Sequence, residues 1–237
     1  MAPRLPLTRL VLGSASVADD LAFVALADLH AVLAARPDTP NRLIGGIMAS
    51  LHAGRWGLGA ELYRQTRDAD VGIPISVARD PWVVEALKEA GYHRAAGNRF
   101  VRRIGVPAAT EPEGGPRLAG EYEAAIDILV PAYRYRARDN VRIGEHLTTT
   151  EVRGLAYAFN HQAVQLELEM ARLNGEVLRA TVTLPDEAST LVLRSFAWHV
   201  RGADTDALDL WRSLEIAMPP AWALRVSRRQ KLLRRRR

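Results

Sequence analysis

Two aspartates one residue apart constrain this chain more than any other feature. Asp68 and Asp70 lie in Thr66-Arg67-Asp68-Ala69-Asp70-Val71-Gly72-Ile73, at the start of a stretch that reads as a buried strand. Side chains alternate faces along a strand, so both carboxylates point the same way and converge on one spot. Two such groups repel each other and are costly to bury unpaired, which requires a cation between them. A divalent metal meets that need. The plainer alternative is a solvent-facing strand edge that carries two acids by chance.

A third acid sits downstream in Ala124-Ala125-Ile126-Asp127-Ile128-Leu129-Val130. This near-continuous apolar run is typical of a strand in the middle of a sheet. Asp127 has no partner nearby in sequence, and a lone buried acid must be paired or bind a cation. An arginine partner would satisfy it as well as a metal. Upstream, Arg42-Leu43-Ile44 reads as a short strand running into Gly45-Gly46, with a helix from about Ile47 to Leu51 or a little beyond. The glycine pair fits either a tight turn or a backbone that approaches phosphates closely.

The remaining pattern is a mixture of helices and strands. Val17 to Arg36 carries a helical apolar stripe, with Asp19 and Asp20 in its first turns and Pro37 and Pro40 after it. Asp80-Pro81 opens a helix from Trp82 to Ala90 that Gly91 closes. Tyr92 to Ile104 holds one or two strands, and the Gly- and Pro-rich segment from Thr110 to Gly120 reads as a surface loop. Ala163 to Leu184 fits a hairpin turning at Asn174-Gly175, or alternatively a helix capped at Gly175. Two helices complete the pattern, Glu187 to about Arg201 behind a capping Asp186, and Asp206 to Ala217 before Pro219-Pro220. Trp82, Trp198 and Trp211 fall at helix-packing positions, and the six histidines show no metal-ligand spacing.

Composition narrows the class. The 237 residues are 48% apolar, enough for a sizeable core. Cysteine is absent, which removes disulfides and thiolate metal sites from consideration. No stretch approaches the length of a membrane span, and Pro6, Thr8 and Arg9 interrupt the most apolar part of the amino terminus. The expectation is therefore a cytoplasmic protein with no membrane partner. The net charge of +5 is a property of the tail: seven of the 32 basic residues lie in Ser227 to Arg237, leaving 25 against 27 acids. Such a run attracts phosphate backbones by charge alone, or is simply a solvated end.

The order of strand, Gly-Gly, helix, D-x-D strand, helix and a strand with one further Asp resembles the nucleotidyltransferase superfamily. The stretches LIGGIMASLHAG, RQTRDADVGI and AAIDILVP, with the later LVLRSFAWHVRGADTDALDLW, resemble the AbiEii-type nucleotidyltransferases, which include toxins of toxin–antitoxin pairs. The likeness covers roughly Arg42 to Leu214. It implies an α/β (α+β) fold: a nucleotidyltransferase-type mixed sheet flanked by helices over residues 1–140. A smaller, mostly helical domain with a β-hairpin would follow over 141–226, ahead of the basic tail at 227–237.

The resemblance also implies the chemistry. Asp68, Asp70 and Asp127 would be the catalytic carboxylates and would ligate Mg²⁺ or Mn²⁺, hard cations that take oxygen ligands. Gly45, Gly46 and Thr66 would contact the NTP phosphates. Arg194 stands where the family usually has lysine, and Asp206 and Asp209 match the acids of its K-D-x-x-D stretch. Arginine cannot deprotonate and is no neutral replacement for lysine. The family's charged dipeptide is also reduced here, with Thr205 preceding Asp206. The implied partners are an NTP, an RNA such as tRNA met through the basic tail, and a cognate antitoxin. Two other readings stand beside this one: transfer to a small molecule of the antibiotic type, and an inactive relative that only binds nucleotide or RNA. The residues of the second half also have plain structural readings. Asp206 suits a helix N-cap, and Asp209 suits an ion pair with Arg212.

Overall fold

The computed structural model describes residues 8–57, 65–105 and 121–217. The loop read at Thr110 to Gly120, the Pro219-Pro220 stop and the basic tail at 227–237 lie outside the described residues. Among the described residues the fold is mixed α and β, with seven helices and mixed sheets. No helix there is long and apolar enough to cross a membrane.

The larger sheet carries the D-x-D stretch. Its strands are β2 (Arg42–Ile44), β3 (Asp68–Gly72), β4 (His93–Ala96), β5 (Arg99–Gly105) and β6 (Glu121–Pro131), in the order β2-β3-β6-β5-β4. Two further strands, β7 (Val141–Ile143) and β8 (Leu147–Val152), attach through a β6–β8 pairing. Ala69 and Val71 of β3 are buried, while Asp68 and Asp70 face the other way and are half-buried, as the two-residue period requires. The central strand β6 changes partner along its length. It pairs with β5 from Glu121 to Asp127 and with β8 from Leu129 to Pro131. Asp127 stands at that change.

The smaller sheet joins the first described strand to a hairpin in the second half of the chain. β9 (Ala163–Ala171) and β10 (Val177–Pro185) form an antiparallel hairpin, and Gly175 takes a left-handed conformation (φ +83°) in the turn. That settles the choice between hairpin and helix left open by the apolar spacing. β1 (Thr8–Gly13) pairs with β9 in parallel, Leu10 against Leu168. The helix α1 (Val17–Ala34) contacts β3, β6 and β10, so it packs on both sheets. Ser16 caps it by accepting from the Asp19 amide, and Asp19 and Asp20 are both buried in its first turn. One buried apolar cluster runs through elements on both sides of residue 140, from Phe23 and Ile126 to Leu166 and Leu184.

The remaining helices frame the site. α2 (Gly45–Arg55) begins directly at the glycine pair, two residues before the sequence pattern placed it. Low helix propensity hides a glycine at a helix start. The short α3 (Ile75–Ala78) and α4 (Trp82–Glu89) follow β3, and α5 (Leu155–Asn160) follows β8. α6 (Glu187–Arg201) is capped by the Asp186 side chain and stopped by Gly202 in a left-handed conformation (φ +61°). α7 (Asp204–Ala217) packs on α6 and touches α2. Trp82 is nearly buried, but Trp198 and Trp211 are 48% and 45% exposed, so these two are not core residues. The α6–α7 pair buries other faces instead, including Leu193 and Ile216.

Candidate active site

Pairing register builds the centre of the site. Ile44 on β2 lies opposite Asp70 on β3, Asp70 lies opposite Asp127 on β6, and Asp127 lies opposite Arg99 on β5. One row across four strands therefore carries two acids flanked by a guanidinium. Asp68 sits two residues before Asp70 on the same strand face. One carboxylate oxygen from each of Asp68, Asp70 and Asp127 lies within 4.8 Å of the others, a group that could hold a metal ion.

The cation required by the converging acids is supplied in part by the chain itself. Arg99 Nη1 donates to Asp127 Oδ2 at 2.9 Å and to Asp68 Oδ2 at 3.3 Å. Asn98 Nδ2 donates to Asp127 Oδ1 at 3.1 Å, so both oxygens of this buried carboxylate are engaged. Thr66 lies just before β3 and is buried, and its hydroxyl donates to Asp68 Oδ1 at 2.7 Å. Neither Asn98 nor Arg99 was legible as a site residue. They lie at the turn of the β4–β5 hairpin, and only strand register brings them to Asp127.

One guanidinium does not balance three acids. Burial, with the charges of Asp68 and Asp127 added, pushes the Asp70 carboxyl up to about 7, against the pull of Arg194 and Arg99. Burial also raises Asp127, opposed by Arg99 and helped by Asp68. Buried carboxylates crowded by other acids keep their charge at a cost that a bound cation would relieve. Hard oxygen donors in such a place suit a divalent cation such as Mg²⁺ or Mn²⁺. The residues present fit that group.

Gly45 closes one side. It adopts φ +74°, and a Cβ built on it would lie 1.8 Å from Asp70 Oδ2 and 2.8 Å from Asp70 Cβ. Only glycine tolerates both the conformation and the contact. Ile44 at the N-cap gives the first turn of α2 no side-chain hydrogen bond, and that turn begins next to the acids.

The opposite wall comes from α6 and α7. A cavity of about 440 Å³ is lined by Gly45, Gly46, Thr66, Asp68, Asp70 and Asp127 on one side and by Arg194, Arg201, Asp206 and Asp209 on the other. Every site residue expected from the sequence thus faces one cleft. The second wall is internally paired. Arg194 Nη1 lies 3.4 Å from Asp209 Oδ2, and Arg212 Nη1 donates to Asp209 Oδ1 at 3.2 Å, all three residues being buried. The Asp209–Arg212 ion pair is the one expected from helical spacing. Asp206 is not an N-cap, because α7 already begins at Asp204. Instead Arg201 grips it through Nε at 2.8 Å and through Nη2, and that hydrogen bonding holds the Arg201 guanidinium above its ordinary range. Arg201 was not anticipated either, although its place in the last turn of α6 faces the same wall as Arg194.

No model of a known protein family, no characterised protein and no solved structure matches the chain.

Proposed function

We propose that this protein is a metal-dependent nucleotidyltransferase of the AbiEii type, acting through the cleft between the large sheet and the α6–α7 pair. The observation that carries the reading is the meeting of Asp68, Asp70 and Asp127 within 4.8 Å, beside the uncapped start of α2 and opposite Arg194 and Arg201. Acids alone would suit many cation sites. Acids that share a 440 Å³ cleft with phosphate-competent donors suit a metal–triphosphate complex.

In the proposed reaction an acceptor hydroxyl oxygen attacks the α-phosphorus of an NTP. The new P–O bond forms as the bond to the β-phosphate oxygen breaks, and pyrophosphate leaves with that electron pair. Asp127, on the central strand beside the other two acids, takes the hydroxyl proton. Gly45 and Gly46 present backbone amides to the phosphates, and Arg194 and Arg201 supply charge from the facing wall. Mg²⁺ or Mn²⁺ held by the three carboxylates would neutralise phosphate charge and organise the attacking and leaving oxygens. By the same resemblance the acceptor is an RNA such as tRNA, and the biological role is that of a toxin with a cognate antitoxin.

The test is labelling. Purified protein with Mg²⁺ and each of the four labelled NTPs should transfer label to RNA, and Asp68→Asn and Asp70→Asn should abolish the transfer. Absence of label on RNA, protein or small acceptors with every NTP would sink the enzyme reading. The Arg99 bridge favours one second reading, an inactive relative that binds nucleotide. Calorimetry would then show NTP binding without turnover.

A further inference from the structure

A second feature borders the cleft. After β6, residues 132–142 read Ala-Tyr-Arg-Tyr-Arg-Ala-Arg-Asp-Asn-Val-Arg, four arginines against one acid. Tyr133 and Tyr135 are 70% and 83% exposed, and Arg134 and Arg136 are exposed beside them. Large rings displayed this fully contribute nothing to a core. Tyr135 is nonetheless held in place. The Arg153 guanidinium lies 5.2 Å from its ring centre and 4.2 Å from the ring of Phe196 on α6, so three planar groups form a series. Glu151, the buried acid beneath, is neutralised by Arg138 through Nε at 3.2 Å and Nη2 at 2.7 Å. The outward charge of the patch is therefore positive.

The patch and the cleft share elements. Thr150 and Val152 line the cleft, and Arg153 follows them directly. Leu193, Arg194 and Ala197 of α6 line the cleft, and Phe196 lies among them in sequence. Exposed aromatic rings interleaved with cations suit a single-stranded nucleic acid, whose bases stack while its phosphates meet the arginines. A duplex hides its base faces and cannot use the rings. A membrane-binding loop would also display large aliphatic side chains to insert, and residues 133–136 carry only tyrosine and arginine.

We propose that Tyr133, Arg134, Tyr135, Arg136 and Arg153 form the docking surface for a single-stranded RNA end and lead it to the cleft. This rests on the reading of the cleft as the site of transfer to an RNA hydroxyl. It moves recognition from the basic tail to a built surface on elements that also line the cleft.

Fluorescence anisotropy with a labelled single-stranded oligoribonucleotide, without metal or NTP, tests it on the full chain with the tail kept. Tyr133→Ala/Tyr135→Ala should weaken binding at least about tenfold and leave the salt slope unchanged. Arg134→Gln/Arg136→Gln should lower the slope by roughly 0.7 for each phosphate that is no longer neutralised. The proposal is overturned if both variants bind the single strand as the wild type does. It is also overturned if a hairpin duplex loses as much affinity as the single strand on tyrosine removal, or if only binding to phosphatidylserine vesicles falls. Because no nucleotide is used, RNA binding that follows the tyrosines while NTP labelling fails would leave the surface standing and remove the transfer reading.

Discussion

The α-carbon of Gly45 and the carboxylate of Asp70 are so close that a methyl group at position 45 would overlap Asp70 Oδ2, at 1.8 Å. The start of α2 and the D-x-D strand are thereby locked in one register, with Ile44 opposite Asp70. Gly45→Ala should destabilise the fold by about 1–3 kcal/mol through its left-handed conformation and the overlap. Transfer should fall at least about a hundredfold, because Asp70 must move. Gly54→Ala on the same helix is the control, since its Cβ would meet Leu10 only at 3.7 Å. Thermal unfolding and labelling of both variants would check the contrast, and equal behaviour would refute it.

Arg99 bridges Asp68 and Asp127. Arg99→Gln leaves three acids with less counter-charge, so the metal-free variant should be less stable than the wild type. Added Mn²⁺ should then raise its melting temperature more than it raises that of the wild type. Thermal shift with and without Mn²⁺ measures this. If the two proteins gain equally, Arg99 does not compete for the cation position.

The Asp70 carboxyl, near 7 when folded, compares with about 4 for an unfolded aspartate. Between those values the folded state binds more protons, so metal-free stability should fall as pH rises from about 4 to about 7 and then level off. Asp70→Asn should flatten that decline and leave the metal-free protein more stable than the wild type at about pH 8. Metal must displace the Asp70 proton, so Mn²⁺ affinity should drop about tenfold per unit below about pH 7. Calorimetry across pH provides the check, and a flat profile would contradict it.

Arg194 lowers the proton affinity of Asp70 from across the cleft. Removing its charge in Arg194→Met should therefore move the pH midpoint of metal affinity upward. Arg194→Lys keeps the charge and should leave the midpoint near that of the wild type. An identical midpoint in all three proteins would show that Arg194 serves only its pairing with Asp209.

The sequence revealed what local periodicity carries and missed what pairing decides. Asp68, Asp70 and the capped helix after Asp186 are properties of neighbouring residues, and each occupies its expected element, whereas Gly45 opens the helix it was expected to precede. Arg99 was hidden because its relation to Asp127 exists only through the β5–β6 register. β1 was hidden because a short strand with Arg9 and an exposed Val11 has little apolar pattern of its own. Its partner, β9, begins only at Ala163. Trp198 and Trp211 misled because helical spacing identifies a face and does not say whether another element covers it.

The pairing of Leu10 with Leu168 has a consequence for how the molecule is made. During synthesis the first strand must wait for most of the chain to emerge before the small sheet can close. The three carboxylates of the large sheet exist well before α6 and α7 leave the ribosome. A nascent chain therefore carries the acids before the facing arginines have been made, and the cleft cannot close until α6 and α7 have emerged. Premature release would yield a protein with half a site.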